Sequence, residues 1–135
     1  MERSGFGAAG ERWPRGEART GRIDFEVAVG RVRVRTREAV SVLDLTAGVE
    51  RFLRSARLEA GWVNVQPRHR TTGICLNEDE PLLLTNLLAL LRPSETLNVS
   101  RGRLGLGRSQ RVLLLDLDGP RDREVSLLAM GERRR

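Results

Sequence analysis

The chain has 135 residues, a formal net charge of +6 and charged side chains at 31% of its positions, which is typical of one globular domain rather than of a disordered chain. All 24 cationic side chains are arginine and tyrosine is absent, so the sequence excludes a Schiff-base lysine, a P-loop lysine and a catalytic phenol. One histidine and one cysteine are too few for a zinc site built from several such ligands.

The positive charge lies mainly in the two terminal segments. Residues 1–22 carry a net +2 and residues 133–135 a further +3, which leaves residues 23–132 at +1. The few aromatic side chains do not alternate with basic ones in the pattern that stacks nucleic-acid bases, so we expect no specific nucleic-acid binding. The apolar run at 82–91 is too short to cross a membrane, and a single cysteine fits a reducing compartment, so we expect a cytoplasmic protein without a membrane segment.

We predict three parts in the chain. The glycine-containing segment 1–22 is expected to be a flexible extension, residues 23–132 are expected to form a single domain, and residues 133–135 are expected to form a basic tail. Alternation over residues 23–29 predicts a strand that buries Phe25, Val27 and Val29. The apolar phase reverses at Gly30, which predicts a bulge or a tight bend there.

Two helices are predicted in the middle of the chain. The first begins at Thr46 as its N-cap and stops at Gly61. After a strand at 62–66, the second begins at Pro81, behind a run of acidic residues, and ends before Pro93.

The last third of the chain predicts strands at 96–99, 103–106, 111–117 and 124–130, with a turn at 118–121. The order of elements predicts an α+β fold in which two helices cover one face of a largely antiparallel or mixed sheet.

Residues 69–78 carry the chemistry that stands out. His69, Thr71, Thr72 and Glu78 offer a proton carrier, two hydroxyls and a carboxylate near the start of the predicted second helix, where phosphates also bind. The same residues also suit a structural histidine beside a β-turn, with Glu78 stabilising only the helix dipole.

Three weaker signals favour structural roles. The glycines between 102 and 107 lie among strands rather than before a helix, so they indicate a hairpin and not a phosphate loop. Asp116, Asp118 and Asp122 flank a turn and predict solvated acids, and Cys75 lies in an apolar run and predicts a small core residue.

The segment at 69–78 resembles the signature of the YjbQ-like family, His-Thr-Thr-Ala-Gly-Ile/Leu-x-x-Asn-Glu. His69, Gly73, Asn77 and Glu78 match it, and Thr71 matches its second threonine. Further similarity lies at 43–46, 77–81, 102–110, 117–121 and 130–132, so the likeness runs from about residue 32 to 132. The chain departs from the family at 91–99, where a segment with two more histidines is missing, and at Ser109, where the family has tryptophan.

The resemblance implies an α+β fold, a homotrimer and a weak secondary thiamine-phosphate synthase activity on a small phosphorylated substrate, with Mg²⁺ as a candidate cofactor. It implies catalytic roles for the carboxylates of Asp44 and Glu78. It also implies that His69 acts as a proton carrier or a hydrogen-bond donor. The implied substrate-binding residues are Thr71, Thr72, Gly73, Asn77, Arg108 and Gln110. Because the family's other histidines are missing, a catalytically degenerate trimeric structural or binding module is the alternative.

Overall fold

A computed structural model describes residues 24–78, 88 and 90–135. Within these residues the chain forms eight strands and one helix: β1 (Phe25–Arg35), β2 (Ser41–Asp44), α1 (Thr46–Ala56), β3 (Leu58–Pro67), β4 (Thr72–Glu78), β5 (Glu95–Ser100), β6 (Arg103–Leu104), β7 (Gln110–Asp116) and β8 (Asp122–Arg133).

All of these strands pair in an antiparallel manner and form two sheets. The first has five strands in the order β1-β8-β3-β5-β6, and the second has three in the order β2-β7-β4. Apolar side chains from both sheets and from α1 form the main core, and Cys75, Leu113 and Leu115 form a second, smaller cluster. The predicted α+β class with a largely antiparallel sheet is therefore confirmed. The second predicted helix, from Pro81 to Arg92, falls mainly on residues 81–87 and 89, which lie outside the described residues. Leu88 and Leu90 have helical backbone, but Leu91 and Arg92 do not, and Arg92 forms a β-bridge with Ile74, so the predicted end before Pro93 is wrong.

Helix α1 begins at the predicted residue but is capped differently. The Asp44 carboxylate accepts a hydrogen bond of 2.9 Å from the Thr46 N–H, whereas the Thr46 hydroxyl accepts one of 2.8 Å from the Val112 N–H. The helix ends at Ala56, so the predicted stop at Gly61 is wrong. Arg57 adopts the left-handed conformation, with φ of 54°, that glycine usually provides at a helix end.

Strand β1 runs unbroken beside β8, so the predicted bulge or tight bend at Gly30 is wrong. Gly30 faces inward against Phe52 of α1, and a Cβ at Gly30 would lie 2.7 Å from that ring. Packing against α1 therefore determines which residues of β1 face the core and which face outward. As a consequence Phe25, Val27 and Val29 lie on the outer face, where they are 65%, 58% and 78% exposed, rather than in the core as predicted.

The remaining predicted strands are confirmed with shifted ends, and the turn at 118–121 joins β7 to β8. Strands β2 and β4 were not predicted. Glu78 is the last residue of β4, and Arg133, which was predicted to begin the basic tail, is the last residue of β8. Cys75 is fully buried, as predicted for a core residue, and burial, together with the charge of Glu95, raises the pKa of its thiol. The predicted extension at 1–22 lies outside the described residues. Within the described part of the chain, no helix is long and apolar enough to cross a membrane.

Candidate functional site

The residues predicted to form one site lie in two groups at opposite ends of β4. At about 3.3 Å per residue, the two ends of this seven-residue strand are about 20 Å apart. His69, Thr71 and Thr72 lie at its first end, whereas Asn77, Glu78 and Gln110 lie at its last end. Asp44 is level with Cys75 at the middle of β4, and its carboxylate binds Arg111 toward the last end. A single chain therefore does not bring His69 together with Asp44 and Glu78.

The first group, which we call the His69 end, is built around a buried ion pair between Asp116 and Arg123. Asp116 is fully buried and Arg123 is 6% exposed. Arg123 Nε donates to Asp116 Oδ2 and Arg123 Nη2 to Asp116 Oδ1, both at 2.9 Å. Nη2 also donates to Thr71 Oγ1 and to the Asp118 carbonyl, each at 3.1 Å. The ion pair thus ties the start of β4 to the turn between β7 and β8.

The environment of this pair keeps both groups charged. Burial alone raises the pKa of Asp116, but hydrogen bonds from Arg123, the Asp118 N–H and Thr36, together with the charge of Arg123, outweigh burial and hold it below its ordinary value. The hydrogen bond to Asp116 in turn raises the pKa of Arg123. The prediction that Asp116 is a solvated acid is therefore wrong, because its partner comes from the next strand.

His69 is held by the backbone of β8. Its Nε2 accepts a hydrogen bond of 3.0 Å from the Glu124 N–H, so the ring carries its proton on Nδ1. Its carbonyl accepts a bond of 3.1 Å from the Thr72 hydroxyl. Of the two roles considered for His69, this geometry suits the hydrogen-bond donor, because a proton carrier acting through Nε2 would first have to release the Glu124 amide.

The groups expected to hold an anion beside His69 have other partners. The hydroxyl of Thr71 accepts from Arg123, and that of Thr72 donates to His69. Gly73 is packed against Leu91, since a Cβ at this glycine would lie 2.5 Å from the leucine Cγ. These three residues therefore organise the backbone of the His69 end.

The second group, which we call the Asp44 end, contains a charge pair that the sequence did not reveal. Arg111 Nε donates to Asp44 Oδ2 at 2.7 Å, and Asn77 lies opposite Arg111 in the β4–β7 register. Burial raises the pKa of Asp44, but hydrogen bonds from Thr46 and Arg111 and the charge of Arg111 hold it below its ordinary value. Asp44 is thus an ionised carboxylate that both starts α1 and binds Arg111.

Three further predicted residues lie at the Asp44 end. Glu78 lies opposite Gln110 in the β4–β7 register, and its side chain is outside the described part of the chain. The Gln110 side chain accepts a hydrogen bond of 2.8 Å from the Gly107 N–H. This closes a turn on which Arg108 is exposed, at the far end of β4 from Thr71 and Thr72, so Arg108 does not join them in one chain.

A surface pocket of about 550 Å³ lies beside His69, a volume in the range of small-molecule sites. It is lined by Arg33, Val34, Arg35, His69, Asp122, Arg123 and Glu124. The arginines at alternate positions of β1 were visible in the sequence. They were not recognised as site residues because only the fold places them beside His69.

Among residues 24–78, 88 and 90–135, no three His, Cys, Asp or Glu side chains are grouped to hold a metal ion. Asp44 and Asp116 are each paired with an arginine instead. The described residues of one chain therefore do not by themselves fit Mg²⁺.

Comparison with known proteins places the chain in a family. The family model described as UPF0047 protein YjbQ-like matches residues 30–93 and 87–132. The chain belongs to the YjbQ-like UPF0047 family. The two matched stretches overlap at residues 87–93, and this overlap includes the start of the shortened segment at 91–99.

Archaeal YjbQ-like relatives align with most of the chain. A UPF0047 protein of Methanothermobacter thermautotrophicus is 28% identical over 138 residues, covering 82% of this chain and 96% of the relative. A UPF0047 protein of Archaeoglobus fulgidus is 31% identical over 125 residues, covering 72% of this chain and 97% of the relative.

Solved structures share the YjbQ-like fold. A YbjQ-like protein of unknown function from Sulfolobus solfataricus P2 matches with a TM-score of 0.71 at 22% identity, covering 81% of this chain and all of that one. A hypothetical protein from Aeropyrum pernix K1 matches with a TM-score of 0.69 at 30% identity, covering 78% of this chain and 99% of that one. These likenesses support the fold and name no reaction.

Proposed function

We propose that this YjbQ-like protein is a cytoplasmic homotrimer with a secondary thiamine-phosphate synthase activity, and that neighbouring subunits share its active site. One observation carries the proposal: the polar residues matching the family signature form two ordered clusters about 20 Å apart in a single chain. A site that uses both clusters needs the His69 end of one subunit and the Asp44 end of another.

The reaction requires anion stabilisation more than proton removal. The C–O bond between the pyrimidine methylene and its diphosphate breaks, and a C–N bond forms to the thiazole ring nitrogen, which carries no proton. The diphosphate leaves with the bonding electrons, so donors aimed at its oxygens lower the barrier. The Nδ1–H of His69 is such a donor, and the arginines beside it supply positive charge.

An exposed apolar surface on the five-stranded sheet supports self-association. We call it the outer apolar face: Phe25, Val27 and Val29 of β1 with Leu128 and Met130 of β8. Val29 lies opposite Leu128, and Val27 opposite Met130. Monomeric proteins rarely expose contiguous apolar surface of this kind, and β1 is moreover an edge strand in the described sheet. A second copy of the chain would remove this surface from water.

Placing a charge on the outer apolar face is expected to dissociate the trimer. Val29→Asp should reduce the mass measured by light scattering after gel filtration from about three times 15.1 kDa toward that of one chain. Val40→Asp is the matched control, because Val40 is also exposed but lies outside this face. A trimer that tolerates Val29→Asp, or a wild-type chain that is monomeric, contradicts the proposed assembly.

Mixing two inactive variants tests the shared site directly. His69→Gln keeps an acceptor for the Glu124 N–H but lacks the Nδ1–H, and Asp44→Asn keeps an acceptor for the Thr46 N–H but lacks the charge. Each variant alone should lose synthase turnover of the pyrimidine-methyl diphosphate and thiazole phosphate. Co-expressed at equal levels, they should recover about a quarter of wild-type activity, because a quarter of the intersubunit sites combine an intact His69 with an intact Asp44.

If mixing restores nothing while the wild type is active, each site belongs to one chain and the shared-site proposal fails. Unchanged turnover in His69→Gln rejects the role given to His69. Trimer formation by both variants, measured in the same preparations, separates these outcomes from failed assembly.

The alternative function is a trimeric binding module that has lost the chemistry. The observation favouring it is that Asp116, Asp44 and His69 Nε2 already have internal partners. A thiamine-requiring strain that grows with a relative carrying the histidine segment, but not with this chain as an assembled trimer, would identify the module.

A further inference from the structure

Four arginines lie around the carboxylates of Glu124 and Asp122, and two of them, Arg33 and Arg35, line the pocket beside His69. Arg31, Arg33 and Arg35 share the outer face of β1, and Arg68 follows β3. Glu124 lies 3.4 Å from Arg31, 3.9 Å from Arg33 and 3.6 Å from Arg68, whereas Asp122 lies 3.3 Å from Arg35. Among the described residues, these four positive groups therefore share two carboxylates.

Among these six side chains the positive charges exceed the negative charges by two, and the positive charges are exposed. One carboxylate cannot form two-pronged contacts with three guanidinium groups at once, and the four arginine side chains are 57% to 74% exposed. Ion pairs at such exposure are weak, so these guanidinium groups can turn toward a stronger anion at little cost. A phosphate dianion matches the excess charge, and arginine suits its oxygens in geometry.

His69 adds a directional donor to this charge. Its Nε2 is occupied by the Glu124 N–H, so Nδ1–H is the ring's other polar group, and His69 lines the same pocket as Arg33 and Arg35. The residues that the family resemblance led us to expect at the anion have other positions or partners. Thr71 and Thr72 have internal hydrogen-bond partners, and Arg108 lies at the Asp44 end.

We infer that Arg33, Arg35 and the Nδ1–H of His69 bind a phosphate group in this pocket. The inference rests on the proposed function for the ligand class, a small phosphate ester or its diphosphate. It assigns the anion-binding role to two arginines of β1 that the family signature does not include.

The single histidine gives the test an unambiguous signal. Inorganic phosphate is titrated into the full-length protein at constant ionic strength, while binding is measured by calorimetry and the His69 imidazole resonances are followed by NMR. The wild type should bind saturably with a shift of these resonances. The double variant Arg33→Gln, Arg35→Gln should weaken binding by about tenfold or more, because it removes both charge-assisted contacts.

The double variant Arg51→Gln, Arg54→Gln is the control, because it removes the same two charges from exposed positions on α1. It should bind as the wild type does. Phosphate binding that survives Arg33→Gln, Arg35→Gln, equal loss in the control, or unmoved His69 resonances each overturn the inference. Preference for a short RNA, with no saturable phosphate binding, overturns it as well.

The titration involves no turnover, so it separates this inference from the proposed function. Intact phosphate binding in a protein without synthase activity rejects only the synthase. Synthase activity in a protein that does not bind phosphate at Arg33 and Arg35 rejects only the assigned pocket.

Discussion

Arg123→Met is expected to lower the free energy of unfolding by about 3–5 kcal/mol, because it leaves the charge of Asp116 buried without its cationic partner. The substitution removes both bonds from the guanidinium to that carboxylate, and those to Thr71 and the Asp118 carbonyl. Urea denaturation at neutral pH, followed by circular dichroism, measures the loss.

Two further variants separate the buried charge from lost packing. The double variant Asp116→Leu, Arg123→Met should regain most of the stability, because no unpaired charge remains in the core. Arg121→Met removes an exposed pair with Asp118, at 3.3 Å, and should cost less than about 1 kcal/mol. A loss in Arg123→Met no larger than that in Arg121→Met would show that the buried pair contributes little.

The same pair predicts how the stability difference depends on pH. In the folded wild type the pKa of Asp116 is lower than in the unfolded chain. The ion pair therefore contributes its full stability at pH values above the unfolded pKa, and this contribution declines as the pH falls below about 5. In Arg123→Met the hydrogen bonds and charge of Arg123 are gone, and only the bonds from the Asp118 N–H and Thr36 still oppose burial, so the pKa of Asp116 rises and protonation relieves the buried charge as the pH falls. The stability gap between the two proteins should therefore narrow in acid.

The buried pair also shows which signals a sequence offers. Arg123 lies in phase with Val125, Leu127 and Ala129, the inward positions of β8, and a charge in that phase predicts a buried ion pair. Its partner Asp116 could not be chosen from Asp116, Asp118 and Asp122 without the geometry of the turn. The rest of β7 and β8 was predictable because their long apolar runs allow few alternatives.

Strand β1 shows where the apolar pattern misleads. Phe25, Val27 and Val29 alternate as a buried face should, but Gly30 and Val32 are the positions that contact α1. A second subunit can bury the outer face of β1 as well as the chain's own core could. The apolar pattern of the sequence does not distinguish burial in the core from burial against another subunit.

The candidate site was predictable in its residue types but not in its arrangement. Treating Glu78 as the start of a helix placed it near His69, whereas the extended β4 separates the two by about 20 Å. Arg111 and Arg33 reach their sites only through strand pairing between distant segments, which local sequence spacing does not encode.

Gly131→Ala is expected to destabilise the five-stranded sheet by about 3 kcal/mol or more. Gly131 of β8 lies opposite Gly61 of β3, and both have positive φ, of 159° and 152°. A Cβ at Gly131 would overlap the Ala60 carbonyl oxygen and lie 2.7 Å from the Gly61 Cα. Because both obstacles are backbone atoms, neither can turn aside, and thermal or urea unfolding should show the full cost.

Gly107→Ala is the control for this close approach. Gly107 lies in an exposed turn with ordinary φ, and the atom nearest to an added Cβ is the Gln110 side-chain oxygen at 3.2 Å, which can move. Gly107→Ala should lower the free energy of unfolding by no more than about 1 kcal/mol, the usual range for such surface changes. Gly61→Ala should resemble Gly131→Ala, and the double variant should cost less than the sum of both, since each substitution disrupts the same contact. Equal, small effects at all three glycines would mean that β3 and β8 can separate freely, which their paired register across the centre of the sheet argues against.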